Sequence, residues 1–222
     1  MSNALVVGGT SGLGLEIARD LSEHHQVIIS GRHNPHENWL EYHELDLAQG
    51  QAMSEAIGKF VMKLPEIEVF VFAPGFFQEG RVTDLSDEDI EQMIDVGSRS
   101  LVYLVREILN KQKKLNELVT ITSTSEWTPR QKEPVYNFTK AAAAHFSNGL
   151  AEDGRIEKVL VAGPAGMDTP FWTDEQRASL GELMDPADVA EAIMNLRKGD
   201  YVYRHAKILR PDVRVEIDQE RK

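Results

Sequence analysis

The chain of 222 residues is 41% hydrophobic and 27% charged, an ordinary balance for one globular domain with a sizeable core, and this excludes a disordered chain. A formal net charge of −12 argues against a nucleic-acid surface and still permits a local basic pocket. The absence of cysteine excludes disulfides, thiolate catalysis and Cys-ligated zinc; no basic segment precedes a long apolar stretch, and no apolar run approaches the roughly 18 residues of a membrane span, so a cytoplasmic protein without membrane contact is expected.

Along the chain, apolar runs alternate with segments of helical period. Strands are predicted near 4–8, 26–30, 42–45, 67–73, 117–122 and 156–162, and helices near 13–24, 48–63, 87–112, 135–151 and 186–197. The first strand runs into Gly8-Gly9-Thr10-Ser11-Gly12-Leu13-Gly14 and then an amphipathic helix carrying Leu15, Ile17, Ala18 and Leu21. Strand, glycine turn and helix follow in the order a dinucleotide site needs. Gly8 permits the tight turn, Gly12 lets the backbone approach a pyrophosphate, Gly14 lets the helix pack on the strand, and the helix N-terminus supplies N–H donors. Runs such as Val69-Phe70-Val71-Phe72 are apolar on both faces and suit a buried parallel sheet. The expected class is α/β: a Rossmann-like, doubly wound parallel sheet of six to seven strands between two helix layers, one domain over 1–222. The charged end, 212–222, is expected to be a loosely held tail.

Ser30-Gly31-Arg32 closes the second strand without the acid that accepts hydrogen bonds from adenosine ribose. Arg32 offers a planar fork suited to a 2′-phosphate, unless it is only a solvated turn residue, so NADP(H) is the preferred cofactor. Thr10 and Ser11 are further hydroxyl donors. The fifth strand ends in hydroxyls at Thr122, Ser123, Thr124 and Ser125, and a strand end in an open α/β sheet is where ligands sit. Glu133 to Lys140 runs into Ala141–Ala144, with Pro134 suited to a first helical turn, so Tyr136 and Lys140 stand one turn apart on one face. An ammonium about 4 Å from the phenolic oxygen, at an effective dielectric near 20, would favour phenolate by up to about 4 kcal/mol, or roughly three pKa units. Tyr136 could then exchange protons near neutral pH.

Taken together, Gly8-x-x-x-Gly12-x-Gly14 and Tyr136-x-x-x-Lys140 resemble the short-chain dehydrogenases/reductases over about residues 3–195. The resemblance implies catalytic roles for Ser123, Tyr136 and Lys140, with Ser123 thirteen positions before Tyr136, and a cofactor segment at Pro164, Ala165, Met167 and Thr169, where Ala165 replaces the family's glycine. It implies an adenine contact at Asp46-Leu47, although Asp46 also reads as a helix cap. It places Phe72-Ala73-Pro74-Gly75 where the family commonly shows Asn-Asn-Ala-Gly, and Gly97 where relatives usually carry an Asn linked to a helix distortion and a lysine-bound water; Ser98 is a possible water ligand. Pro170-Phe171-Trp172 with Leu180, Leu183 and Met184 falls at the usual substrate lid, and Phe76, Phe77 and Trp127 make the pocket apolar and aromatic, unless they are core. Tyr201-Val202-Tyr203 reads as a shortened seventh strand. A homodimer or homotetramer is implied, through the Tyr136 helix and the helix carrying Leu101, Leu104, Val105 and Ile108, with His145 at a core or subunit contact. The seven histidines show no metal-ligand spacing, and no metal is expected. Two function classes follow: an NADP(H)-dependent enzyme moving hydride between nicotinamide and a small, partly apolar carbonyl or alcohol substrate, or a catalytically weak dinucleotide sensor of the same fold.

Overall fold

Residues Ser2–Val7 form the first strand, β1, and the chain turns through Gly8 into helix α1, Gly12–Leu21. The computed structural model describes residues 1–222. The same alternation continues through β2 (His25–Gly31), β3 (Glu41–Glu44), α2 (Met53–Lys63), β4 (Val69–Phe72), α3 (Asp87–Ile94), α4 (Ser100–Gln112), β5 (Leu115–Ile121), α5 (Pro134–Leu150), β6 (Ile156–Pro164), α6 (Asp174–Ser179), α7 (Pro186–Leu196), β7 (Tyr203–Leu209) and β8 (Arg214–Arg221). The sheet order is β3-β2-β1-β4-β5-β6-β7-β8, parallel from β3 to β7. The order reverses between β1 and β4, which is where a doubly wound sheet opens its ligand crevice. Register aligns the strand ends there: Val7 lies opposite Phe72, Phe72 opposite Thr120, and Ile121 opposite Ala162.

Strand alternation decides which helix layer each residue meets. On β4, Phe70 and Phe72 join the core under α2, α4 and α5, while Val69 and Val71 join the core under α1 and α7. Both faces are buried, which is why β4 reads as continuous apolar sequence.

Eight strands form where six or seven were expected. The strand expected at Tyr201–Tyr203 instead begins at Tyr203, opposite Val159, and runs to Leu209. The charged end is not a loose tail: Arg214–Arg221 returns antiparallel along β7 after a connection too short for a parallel crossover. Its charges are those of a solvated edge, which discourages pairing with another sheet, and two of them pair across to β7 as Glu220–Arg204 at 2.6 Å and Asp218–Lys207 at 2.5 Å. The single helix expected over 87–112 is divided by a wider π-type segment, Asp95–Arg99. Leu101, Leu104, Val105 and Ile108 are buried against the chain's own sheet, and Val102 on α4 and Phe138 on α5 are the exposed large apolar residues of those helices. His145 is exposed and not in the core.

Candidate active site

The glycine turn is built by contacts that exclude side chains. Gly8 has φ +78°, and a Cβ there would lie 2.7 Å from the Pro74 nitrogen; a Cβ at Gly14 would collide with the Gly8 carbonyl oxygen. These two positions therefore let the turn cross the end of β4 and let α1 start against β1. Ser11, at the N-cap, makes no side-chain hydrogen bond to the first turn, and that turn holds no acid, so its N–H groups face the cleft free for an anion.

One cavity of about 820 Å³ runs along this sheet edge. Its walls include every catalytic and cofactor-contacting residue expected from sequence: Gly8, Thr10, Ser11, Gly12, Leu13 and Gly14; Arg32; Asp46 and Leu47; Ala73, Pro74 and Gly75; Ser123, Tyr136 and Lys140; Pro164, Ala165, Met167 and Thr169. The long, glycine-cradled shape suits a dinucleotide. Asp46 Oδ1 accepts from the Ala48 N–H at 3.0 Å, so this carboxylate both lines the cavity and caps its own turn. Gly31 has a reason beyond the missing acid: a Cβ there would stand 2.5 Å from Thr10 Oγ1. Arg32 is exposed at the cavity wall and enters none of the ion pairs of the fold. Ala165 needs no glycine, because its φ is not positive, and its N–H is taken by the Ile208 carbonyl at 2.8 Å.

At the far end, Ser123 follows β5 while Tyr136 and Lys140 project from α5, all three toward the cavity. The electrostatics differ from the sequence expectation. Lys140 Nζ donates to the carbonyls of Pro74 and Ile121, each at 3.3 Å, and sits 5.7 Å from the Tyr136 ring centroid. Burial is the largest influence on Tyr136 and raises the phenol above its ordinary value; a hydrogen bond from Ser123 opposes this, Glu133 adds to it and Arg130 opposes it. Lys140 is pushed down to about 8 by burial, with Glu126 acting the other way. Burial therefore favours the neutral phenol over the phenolate.

Phe77, Phe171 and Trp172 close over Tyr136, with ring centroids 5.2 Å apart for Phe77–Tyr136 and 4.8 Å for Phe171–Trp172. Phe76, Trp127, Pro170 and Leu180 line the cavity together with Phe171 and Trp172, whereas Phe77, expected there, packs on Tyr136 without lining it. Trp127 rests on Gly163, where a Cβ would be 2.5 Å from its ring. Leu183 and Met184 do not line it: Met184 is buried and bridges to Met167, so this part of the expected lid is an anchor. Arg130, Glu133, Gln92, Arg210 and Arg214 are among the further lining residues and were not expected. The sequence signal for Arg130 and Glu133 was their i, i+3 opposite charge just ahead of α5, closed here at 2.9 Å.

The sheet order, the cleft at its reversal and the uncapped helix start define a Rossmann-type dinucleotide-binding protein. The sequence profile of the short chain dehydrogenases matches residues 2–179, and the chain belongs to that family of nicotinamide-dinucleotide oxidoreductases. It is 26% identical to an uncharacterized oxidoreductase of Staphylococcus saprophyticus, over 94% of this chain and 96% of the relative. It is 29% identical to the NADP-dependent 3-hydroxy acid dehydrogenase YdfG of Salmonella typhi, over 85% and 86%. Among solved structures it superposes on the closed form of serine dehydrogenase complexed with NADP+, with a TM-score of 0.79 and 25% identity over 91% of this chain and 93% of that one. No helix is long and apolar enough to cross a membrane.

Proposed function

We propose that this chain is an NADP(H)-dependent reductase or dehydrogenase acting on a carbonyl or alcohol carbon of a small, partly apolar substrate, as one domain that assembles into a homodimer or homotetramer. The observation that carries the reading is the convergence of Ser123, Tyr136 and Lys140 in the cavity that also holds the glycine turn and Arg32. The bound nicotinamide supplies or accepts the hydride. The residues of the glycine turn hold the pyrophosphate, Arg32 the 2′-phosphate, and Lys140 the ribose. Ser123 orients the substrate oxygen, and Tyr136 gives it a proton in reduction or takes one in oxidation. Phe76, Phe171 and Trp172 exclude water and favour an apolar body. The test is turnover with NADPH or NADP+ across small ketones, aldehydes and 3-hydroxy acids. Activity on none of them, with the dinucleotide still bound, favours the sensor reading.

Lys140 also makes a stability prediction. Its folded pKa of about 8 lies below the ordinary value of 10.5, so between those two pH values the unfolded chain holds a proton that the folded chain has released. Stability therefore rises with pH across that window, and the penalty of the buried ammonium is fully present below it. Relative to Lys140→Met, the wild type should gain up to about 3 kcal/mol between pH 7 and pH 10.5 in urea unfolding. At pH 7 the variant should also bind cofactor more weakly and turn over more slowly. A stability difference that stays flat with pH would show that the ammonium is not desolvated.

A further inference from the structure

The π-type segment Asp95–Arg99 offers the site no polar side chain at Gly97 or Ser98. A Cβ on Gly97 would lie 2.8 Å from Thr139 Oγ1, and Ser98 donates its hydroxyl back to the Ile94 carbonyl at 3.0 Å. Buried polar groups lie instead behind the turn that follows Ser123. Thr124, Ser125 and Trp127 of that turn line the cavity, whereas Glu126 does not. The Glu126 side chain is 5% exposed and reaches β7, where Oε1 lies 2.6 Å from Nε2 of the buried His205. This is a close polar contact rather than an aligned hydrogen bond, and the second carboxylate oxygen, Oε2, has no partner at all. A buried carboxylate with a single neighbour depends on that neighbour.

The C-terminal hairpin builds the other half of this contact. Strand alternation puts His205 and Lys207 on one face of β7. Across the hairpin His205 pairs with Gln219 and Ala206 with Ile217, so Asp218 is an extra residue on β8, a bulge. Bulges re-aim side chains: Asp218 Oδ1 accepts from Lys207 Nζ at 2.5 Å, and Oδ2 lies 3.8 Å from His205 Nδ1. Lys207 Nζ stands 5.1 Å from the centre of the Trp127 ring, and His205 meets that ring edge-on at 6.1 Å. The turn itself closes on Ser123, whose carbonyl accepts from the Glu126 N–H at 3.0 Å and whose Oγ accepts from the Ser125 N–H at 3.2 Å. Glu126 is thus tied to Ser123 on one side and to β7 on the other.

We propose that Glu126 and His205 are positioning residues for the reaction, a pair that fixes the turn carrying Ser123 and the cavity wall at Trp127; the role rests on the oxidoreductase reading above. Neither side chain lines the cavity, so neither touches substrate or dinucleotide. They act through Ser123, whose hydroxyl must stand in one place to orient the substrate oxygen, and misplacing such a group by about 1 Å costs up to about a hundredfold in rate. The β7–β8 hairpin is in this way part of the support of the active site, although it lies beyond the strands that carry Ser123 and the dinucleotide cleft. Glu126 also opposes the effect of burial on Lys140, so the test has to separate its charge from its contact.

Glu126→Ala and His205→Ala break the contact, Glu126→Gln keeps it with a neutral group, and Glu220→Ala removes a different ion pair of the same hairpin. With the fastest substrate of the carbonyl panel, and melting temperature as the folding control, each contact-breaking variant should lower kcat about tenfold or more and leave dinucleotide affinity unchanged. Glu126→Gln and Glu220→Ala should stay within about threefold of wild type, and the double variant Glu126→Ala with His205→Ala should lose no more than the worse single, as two members of one contact do. A lowered melting temperature with wild-type kcat makes the pair a structural staple only. Glu126→Gln falling as far as Glu126→Ala assigns the effect to charge at Lys140, and losses that multiply in the double variant deny the pairing; either outcome overturns the proposal. A second readout needs no turnover: amide hydrogen exchange across residues 123–128 of the free protein should quicken about tenfold in both contact-breaking variants and not in Glu220→Ala, with β5 and α5 unchanged. Absence of wild-type turnover sinks the oxidoreductase reading, and the exchange comparison then decides the clamp by itself; unchanged exchange overturns it.

Discussion

Tyr136→Phe should lower turnover at least about a hundredfold while leaving dinucleotide affinity nearly intact, because general acid–base assistance is typically worth that much or more. The substitution removes one oxygen from a side chain that is 8% exposed and packed edge-on to Phe77 and against Phe171. Phenylalanine keeps those ring contacts, so the walls of the site stay where they are. What disappears is the phenolic hydroxyl, the group able to exchange a proton with the substrate oxygen. Single-turnover hydride transfer beside a fluorescence titration of the dinucleotide separates the two effects. Equal rates in the variant remove Tyr136 from the mechanism, and a parallel loss of dinucleotide binding makes it a structural residue.

The features legible in the sequence were those carried by local spacing. Gly8-x-x-x-Gly12-x-Gly14 fixes a turn within seven residues, and Tyr136 and Lys140 share a face because a helix repeats every 3.6 residues. The apolar alternation within β4 divides its residues between the two cores as the pleat requires. The features that were not legible depend on chains meeting from afar. That Gly31 makes room for Thr10 requires β2 to lie beside β1. The β8 strand requires β7 as a partner, and a run of charges looks the same in an edge strand as in a solvated tail. The depressed phenol failed for the same reason: helical spacing places Lys140 near Tyr136, but the ammonium is drawn toward carbonyls at the ends of β4 and β5, which sequence order does not bring together.

Arg32→Ala should weaken NADPH by roughly ten- to a hundredfold and leave NADH almost unchanged, since a charge-assisted hydrogen bond is worth about 1.5 to 3 kcal/mol. Arg32 stands just beyond β2, exposed at the cavity wall and committed to no ion pair, so its guanidinium loses no protein partner on meeting a phosphate. The only acid at this end of the cavity wall, Asp46, has one oxygen occupied by the Ala48 N–H. A carboxylate that would repel the 2′-phosphate is missing at Gly31, and the contact with Thr10 explains why it cannot simply be restored: Gly31→Asp presses its Cβ to 2.5 Å from Thr10 Oγ1. The reversal experiment is therefore the double variant Thr10→Gly with Gly31→Asp, which should move preference toward NADH by adding a ribose acceptor and a repulsion together. Calorimetric titration of both dinucleotides against wild type, Arg32→Ala and the double variant needs no substrate. Wild type binding NADH at least as tightly as NADPH, or Arg32→Ala weakening both equally, would reduce Arg32 to a solvated turn residue and leave the short chain dehydrogenase fold with no 2′-phosphate site of its own.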